Sequence, residues 1–234
     1  MGFVCDRMGN EYVDFDHMER EVMKRIVLTS GGLDSATLLF ISQKEMGTDD
    51  VVALFFDYGQ KARKAERRAV KDLVGESKLI EKDIADLYQG SKSSLICTDK
   101  LITKTRTTGD HTEIESQETE VEFRNGLMIA IAISLAMQLY PTEEVEIAYG
   151  AIRTREPYPD CSYDFVRCYN ELASLCSNGR VRIVAPFLAM GKDNIRDLAM
   201  EYGVPTEKTW SCYEGGNNPC GICPACLDRK IVEV

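Results

Sequence analysis

Residues 25–40 read RIVLTSGGLDSATLLF. An apolar, strand-like run ends at Leu28, a glycine pair follows at Gly31 and Gly32, and Ala36 to Ile41 continue in helical company. This order of strand, glycine turn and helix constrains the fold more than any other feature. A strand that feeds directly into a helix belongs to a βα unit, and repeated βα units build a mostly parallel sheet with helices on both faces. At such a turn the free backbone N–H groups and the positive end of the helix point outward, which makes Ser30, Gly31, Gly32, Leu33, Asp34 and Ser35 a candidate anion site. Two successive glycines remove the Cβ atoms that would hold a phosphate away from the backbone, and Ser30 and Ser35 add hydroxyl donors. The stretch lacks the lysine of a Walker A loop and the spacing of a G-x-G-x-x-G dinucleotide turn. A plain Gly-Gly turn with Asp or Ser capping the helix is the competing reading for the glycines alone.

The rest of the chain continues the rhythm. VVALFF (51–56) is an unbroken apolar run of strand length, as expected for a strand covered on both faces. Residues 61–74 read as a charge-laced amphipathic helix and KLIEKDI (78–84) as a third strand. Between Asp83 and Thr119 periodicity fades into a Ser-, Thr- and charge-rich stretch longer than an ordinary connection, of the kind that is functional or mobile. A buried helix over 126–140 follows, then VEIAYG as a strand, a helix over 163–176, VRIVAP as a strand, and a last long helix over 193–202 stopped by Gly203. The predicted architecture is a doubly wound, mostly parallel α/β sheet, with ligands at the carboxyl ends of its strands.

Charge and apolar runs exclude other classes. A formal net charge of -10 opposes a general nucleic-acid grip, which needs a basic surface. The longest apolar run, Gly126 to Leu139, is shorter than the ~20 residues a bilayer demands, and residues 1–24 carry no basic-then-apolar signal. A cytoplasmic protein is expected. Of nine cysteines, four fall in SCYEGGNNPCGICPACLDR, where Cys212, Cys220, Cys223 and Cys226 have the spacing C-x7-C-x2-C-x2-C. Thiolates so spaced turn inward on one ion, and a closed four-sulfur set is the signature of structural rather than catalytic zinc. An iron–sulfur cluster and plain disulfides are the rivals. Cys5, Cys97, Cys168 and Cys176 read as isolated thiols, and Cys161 as a local structural one.

The SGGLDS turn resembles the phosphate loop of the PP-loop, or N-type, ATP pyrophosphatases, whose members cleave ATP between its α and β phosphates. With FDYGQKARKAE, FRNGLMIAIAISLA, YPDC, APFLAMGKDNI and the cysteine segment, residues 24–229 resemble the 7-cyano-7-deazaguanine synthase (QueC) family. The resemblance implies ATP, Mg2+ and Zn2+ as cofactors, 7-carboxy-7-deazaguanine and ammonia as substrates, and a homodimer. The implied reaction activates the carboxylate as an adenylate, forms the amide, then activates that amide and dehydrates it to the nitrile. That chemistry asks for positioning and charge stabilisation more than for a side-chain nucleophile, and neither His17 nor His111 stands in a triad setting. Residues 30–35 are expected on pyrophosphate, with Asp34 a Mg2+ ligand or a helix-turn carboxylate. Arg124 and Lys192 are the cations for phosphates or carboxylate, and Tyr58, Gln60 and Asn125 are assigned to the nucleotide. Tyr158 and Asp160 face the base or the acyl centre. The expected organisation is an N-terminal extension (1–23), an ATP-binding domain (24–205) and a zinc-binding segment (206–234).

The chain departs from the family pattern in three places. GAIRTREPYPDC carries Arg153 and Arg155 where the family has an acidic segment, so a substrate-facing loop changes sign. The family's Pro-Gly before Arg-Asn becomes Glu122 and Phe123, setting a carboxylate beside the expected reaction centre, where it can attract an ammonium group. Residues upstream of Met23 have no counterpart. These departures motivate a second reading, a relative that delivers the activated acyl group to a protein amino terminus, as synthase-like proteins of anti-phage (CBASS) operons would by resemblance. A third reading is a non-catalytic nucleotide-binding module stapled by zinc.

Overall fold

The computed structural model describes residues 23–100, 102, 119–152 and 158–232, the last three by backbone alone, together with the backbone of four short strands at 3–5, 11–13, 105–108 and 111–114. Strands β3 (Met23–Leu28), β4 (Val51–Asp57), β5 (Lys78–Asp83), β8 (Glu144–Tyr149) and β9 (Val181–Val184) form one sheet in the order β5-β4-β3-β8-β9. Every pairing in it is parallel. The short strands make two separate antiparallel pairs, β1 (Phe3–Cys5) with β2 (Glu11–Val13) and β6 (Thr105–Thr108) with β7 (His111–Ile114).

Six helices accompany the strands among the described residues: α1 (Leu33–Met46), α2 (Arg63–Leu73), α3 (Arg124–Leu139), α4 (Tyr163–Ser177), α5 (Lys192–Glu201) and α6 (Pro224–Val232). Alternation along the strands divides the apolar side chains between two layers. Ile26, Val52, Leu54, Val145 and Ile147 pack with Ile129 and Ala132 of α3 and Ala173 of α4. Val27, Ala53 and Ala148 face the other way, onto Leu38 and Leu39 of α1 and Ile195 of α5. All seven residues of β4 are buried, so the unbroken apolar run VVALFF is the signature of a strand covered on both faces.

Among the described residues two charged side chains of this sheet are buried, Asp57 at the end of β4 and Glu146 of β8. Glu146 of β8 is 2% exposed, and its two oxygens meet Arg25 of β3 and Arg182 of β9, both at 2.6 Å. The three residues are in register across three adjacent strands, so the parallel pairing brings both guanidinium groups to the carboxylate.

The chain begins its sheet in the middle. From β3 it winds outward through β4 to β5, then returns to the other side of β3 as β8 and β9. Strand order therefore reverses between β3 and β8, and a crevice opens beyond their carboxyl ends. The sequence-predicted elements of the sheet and its helices are all present, whereas α6 and both short strand pairs were not predicted. In the stretch predicted to be irregular, Ala85–Tyr88 forms a 3-10 turn that buries Tyr88, and the β6–β7 pair follows. No helix among the described residues is long and apolar enough to cross a membrane.

Candidate active site

The crevice at the switch point is a cleft of about 980 Å³. On one wall β3 leaves the sheet at Thr29, makes the turn 30–32, and enters α1. Gly31 has φ +83, and a Cβ there would stand 2.9 Å from the backbone oxygen of Glu66, so this position requires glycine on two counts. Ser35 Oγ accepts from the Ser30 N–H at 3.1 Å and donates to the Gly32 carbonyl at 3.1 Å, which ties the loop to the first turn of the helix. No side chain caps the start of α1, leaving its first N–H groups directed at the cleft. Across the switch point, a Cβ on Gly150 would approach the Asp34 backbone to 3.3 Å, so the end of β8 closes tightly on this loop.

The cations assigned from sequence reach the cleft from two elements. Lys192, the first residue of α5, lies 2.6 Å from the Asp34 carboxylate. Arg124, the first residue of α3, sits over the Tyr58 ring at 5.4 Å and donates to the Tyr58 hydroxyl and to Asn125 Oδ1, each at 3.3 Å. Burial pushes the Tyr58 phenol up to about 12, so it stays protonated near neutrality, against the opposing pull of Arg124. Gln60 fixes the loop after β4: its Oε1 accepts from the Tyr58 N–H at 2.9 Å, while Nε2 donates to the Phe56 carbonyl at 3.1 Å and to Glu66 Oε2 at 2.8 Å. All three of these bonds go to protein groups, and Gln60 also lines the cleft.

Opposite them, the YPDC segment forms a 3-10 turn over Pro159–Cys161. Tyr158 bonds Thr119 between hydroxyls at 2.8 Å, and Tyr158, Asp160 and Cys161 all line the cleft. Burial, with Asp160 adding to it, raises the Cys161 thiol to about 12, which keeps it protonated and unreactive at neutral pH. Glu122 stands elsewhere: it is exposed, accepts from Ser91 Oγ at 2.8 Å, and is absent from the cleft's described lining, although Glu120 and Val121 belong to it. Arg153 and Arg155 lie outside the described residues.

The cysteine segment builds the remaining wall. Trp210 donates its backbone N–H to the Gly31 carbonyl at 2.8 Å and its indole N–H to the Cys212 carbonyl at 2.8 Å, linking the phosphate loop to the first cysteine. The four sulfurs of Cys212, Cys220, Cys223 and Cys226 lie within 4.8 Å of one another, and Cys220 and Cys226 are 4.0 Å apart. Tetrahedral zinc with ~2.3 Å bonds to sulfur sets sulfurs ~3.8 Å apart, so the cluster has the dimensions to hold one metal ion. Backbone N–H groups of Cys220 and Cys223 already point at neighbouring sulfurs, both at 3.3 Å, as thiolates require. From the last cysteines α6 carries Asp228 and Arg229 to the cleft, and Arg229 donates to the Thr206 and Thr209 carbonyls.

Glu66, Tyr213 and Asp228 therefore line the cleft without having been singled out from sequence. Glu66 was within reach, standing in the quoted FDYGQKARKAE block. Tyr213 and Asp228 carried no signal apart from their closeness to cysteines.

An open α/β sheet whose phosphate loop, anchored cations and acidic loop converge at the switch point defines a nucleotide-dependent enzyme of the PP-loop class. A model of the family described as queuosine biosynthesis protein QueC matches residues 24–232. Curated relatives named 7-cyano-7-deazaguanine synthase include that of Aquifex aeolicus, 36% identical over 213 residues covering 88% of this chain and 94% of that protein. Those of Persephonella marina and of a Synechococcus strain are 36% and 37% identical, each covering 87% of this chain and 89% of its own length. The chain belongs to the QueC family and is an ATP-dependent carbon–nitrogen ligase.

Proposed function

We propose that this protein activates the carboxylate of 7-carboxy-7-deazaguanine with ATP, releases pyrophosphate, joins the acyl group to ammonia with loss of AMP, then activates the amide oxygen with a second ATP, the oxygen leaving with AMP to give 7-cyano-7-deazaguanine. The observation that carries this reading is the meeting, in one cleft, of an uncapped helix start behind Gly31 and Gly32 with two cations, Arg124 and Lys192. A carboxylate and a polyphosphate repel one another, and both must be brought together before the acid can attack the α phosphorus. Backbone N–H groups hold the β and γ phosphates, Lys192 screens them, and Arg124 neutralises charge between acid and α phosphate. The rigid stack of Arg124 on Tyr58 holds its guanidinium in place without consuming its charge in an ion pair among the described residues.

Tyr158 and Asp160 recognise the deazaguanine, Asp160 accepting from its N–H groups. Mg2+ entering with ATP would be held by Asp34, exchanging for its contact with Lys192, and would supply charge neutralisation on the phosphates. Zinc in the four-cysteine cluster would hold the wall formed by 210–229. A homodimer belongs to the same reading and is tested by light scattering.

Mass spectrometry of products from ATP, Mg2+, 7-carboxy-7-deazaguanine and ammonium, with and without a peptide library, tests the proposal. Free nitrile with AMP and pyrophosphate is the expected result. AMP release with deazaguanine mass on peptides and little nitrile would instead establish the protein-amine acceptor, and no ATP turnover at all would establish the non-catalytic module.

A further inference from the structure

The two anionic reactants have cationic partners in the cleft; the nitrogen donor, which is ammonium near neutral pH, needs a partner of the opposite sign. The cleft's titratable lining narrows the choice. No histidine is among its described residues. Burial raises Tyr58 and Cys161 to about 12 and moves Tyr149 and Tyr213 upward as well, so none of these takes a proton from an amine at neutral pH. Among the other carboxylates of the lining, Asp34 is engaged by Lys192, Asp160 accepts from the Cys161 thiol at 3.7 Å, and Glu120 and Asp228 are exposed.

Glu66 differs. It projects from the first turn of α2, directly behind the phosphate loop, with its backbone oxygen against Gly31. The Gln60 amide, whose three bonds to protein leave it no freedom, fixes Oε2 at 2.8 Å. No described residue bonds Oε1, and Glu66 makes no ion pair among the described residues, although it lines the same cleft as Arg124. A carboxylate pinned by a neutral amide, open on its other oxygen and unpaired with a cation is suited to receive one.

We propose that Glu66 is the amine site of this enzyme: its free Oε1 binds the ammonium ion and takes its proton. The inference rests on the ligase reading above. In the step, one N–H bond of ammonium breaks and the proton passes to the carboxylate. The nitrogen lone pair then attacks the acyl carbon; the C–N bond forms, the bond from carbon to the AMP oxygen breaks with its electron pair, and a second proton leaves the nitrogen for water. Burial, the largest influence, and the Asp57 carboxylate at the end of β4 raise Glu66, whereas the Gln60 bond and the Arg124 guanidinium lower it, to about 7. Tyr58 faces it as a neutral phenol, while Arg63 and Arg67 of its own helix are turned to Asp57. A group poised there both holds a cation and accepts its proton at neutral pH.

Three rates on the full-length protein test this: substrate-dependent ATP–pyrophosphate exchange, which needs no amine; amide formation from ammonium; and hydroxamate formation from hydroxylamine, which is already neutral at pH 7. In Glu66→Gln, which can keep the Gln60 bond, amide formation is expected to fall about a hundredfold or more while hydroxamate formation stays within about twofold. Equal loss of both, or of exchange, overturns the proposal by making Glu66 a support of the phosphate loop. The unaltered enzyme supplies a second reading: its ratio of amide to hydroxamate rate should level off above pH about 7. A ratio that climbs about tenfold per pH unit up to pH ~9 means free ammonia is taken from solution and overturns it. Absence of exchange in the unaltered enzyme would instead defeat the ligase reading itself.

Discussion

Glu66 also bears on stability, because its burial opposes ionisation more than the Gln60 bond and the Arg124 guanidinium favour it. Its carboxyl is raised from an ordinary 4.5 to about 7, so the folded protein holds this proton more tightly than the unfolded chain. The sign follows: the contribution is fully favourable below pH about 4.5 and is lost as pH rises through about 7. Glu66→Gln, which never ionises, should therefore melt higher than the unaltered protein at pH 8 and at nearly the same temperature at pH 4.5. Differential scanning calorimetry at the two values checks this; a variant that melts lower at pH 8 would mean the carboxylate is stabilised in the fold. Gly31 shows a second side of the residue scale. The glycine pair was legible as a tight turn between strand and helix, but one of the two reasons for glycine at Gly31 is the backbone oxygen of Glu66, a residue 35 positions along the chain that α2 brings against it.

At the scale of elements, the Glu146 clamp joins three strands of the sheet. Removing the carboxylate leaves two guanidinium groups facing each other over a buried position, the costly way to break such an array. Glu146→Ala is expected to lower stability by about 3–5 kcal/mol, measured by urea unfolding, while Glu45→Ala, which removes only an exposed partner of Arg25, should cost less than about 1 kcal/mol. Glu146 sat unnoticed in VEIAYG because period-two patterning reports apolar positions and is silent on a buried charge whose partners lie on other strands. The β6–β7 pair was equally hidden: TRTT and HTEI offer little apolar alternation, so pairing there leaves almost no mark in composition. Helix α6 was masked by the cysteines, whose metal-ligand spacing explained PACLDRK without need of a helix.

Across the whole molecule, the cysteine cluster and the phosphate loop form one structure. The link runs from the Gly31 carbonyl through Trp210 to Cys212, and from Cys226 along α6 to Asp228 and Arg229 in the cleft. Removal of a metal ion from this cluster is thus expected to loosen the nucleotide site as well as the carboxyl-terminal segment. Cys223→Ser, or treatment with a strong chelator, should lower the melting temperature by several degrees and weaken nucleotide binding by about tenfold or more, followed by calorimetry and by fluorescence of Trp210, the protein's single tryptophan. Unchanged nucleotide affinity in the metal-free protein would separate the two. The sequence by itself determined the βα order, the glycine turn, the four-cysteine set and the family, because each is written in local spacing that one stretch of chain carries alone. Only the tertiary structure decided which residues meet: Arg124 over Tyr58, Lys192 on Asp34, Glu122 turned to Ser91, and Glu66 at the loop's back. Those contacts come from the strand reversal between β3 and β8 and from helices packed on the sheet, and distance in space between such positions is not encoded in distance along the chain.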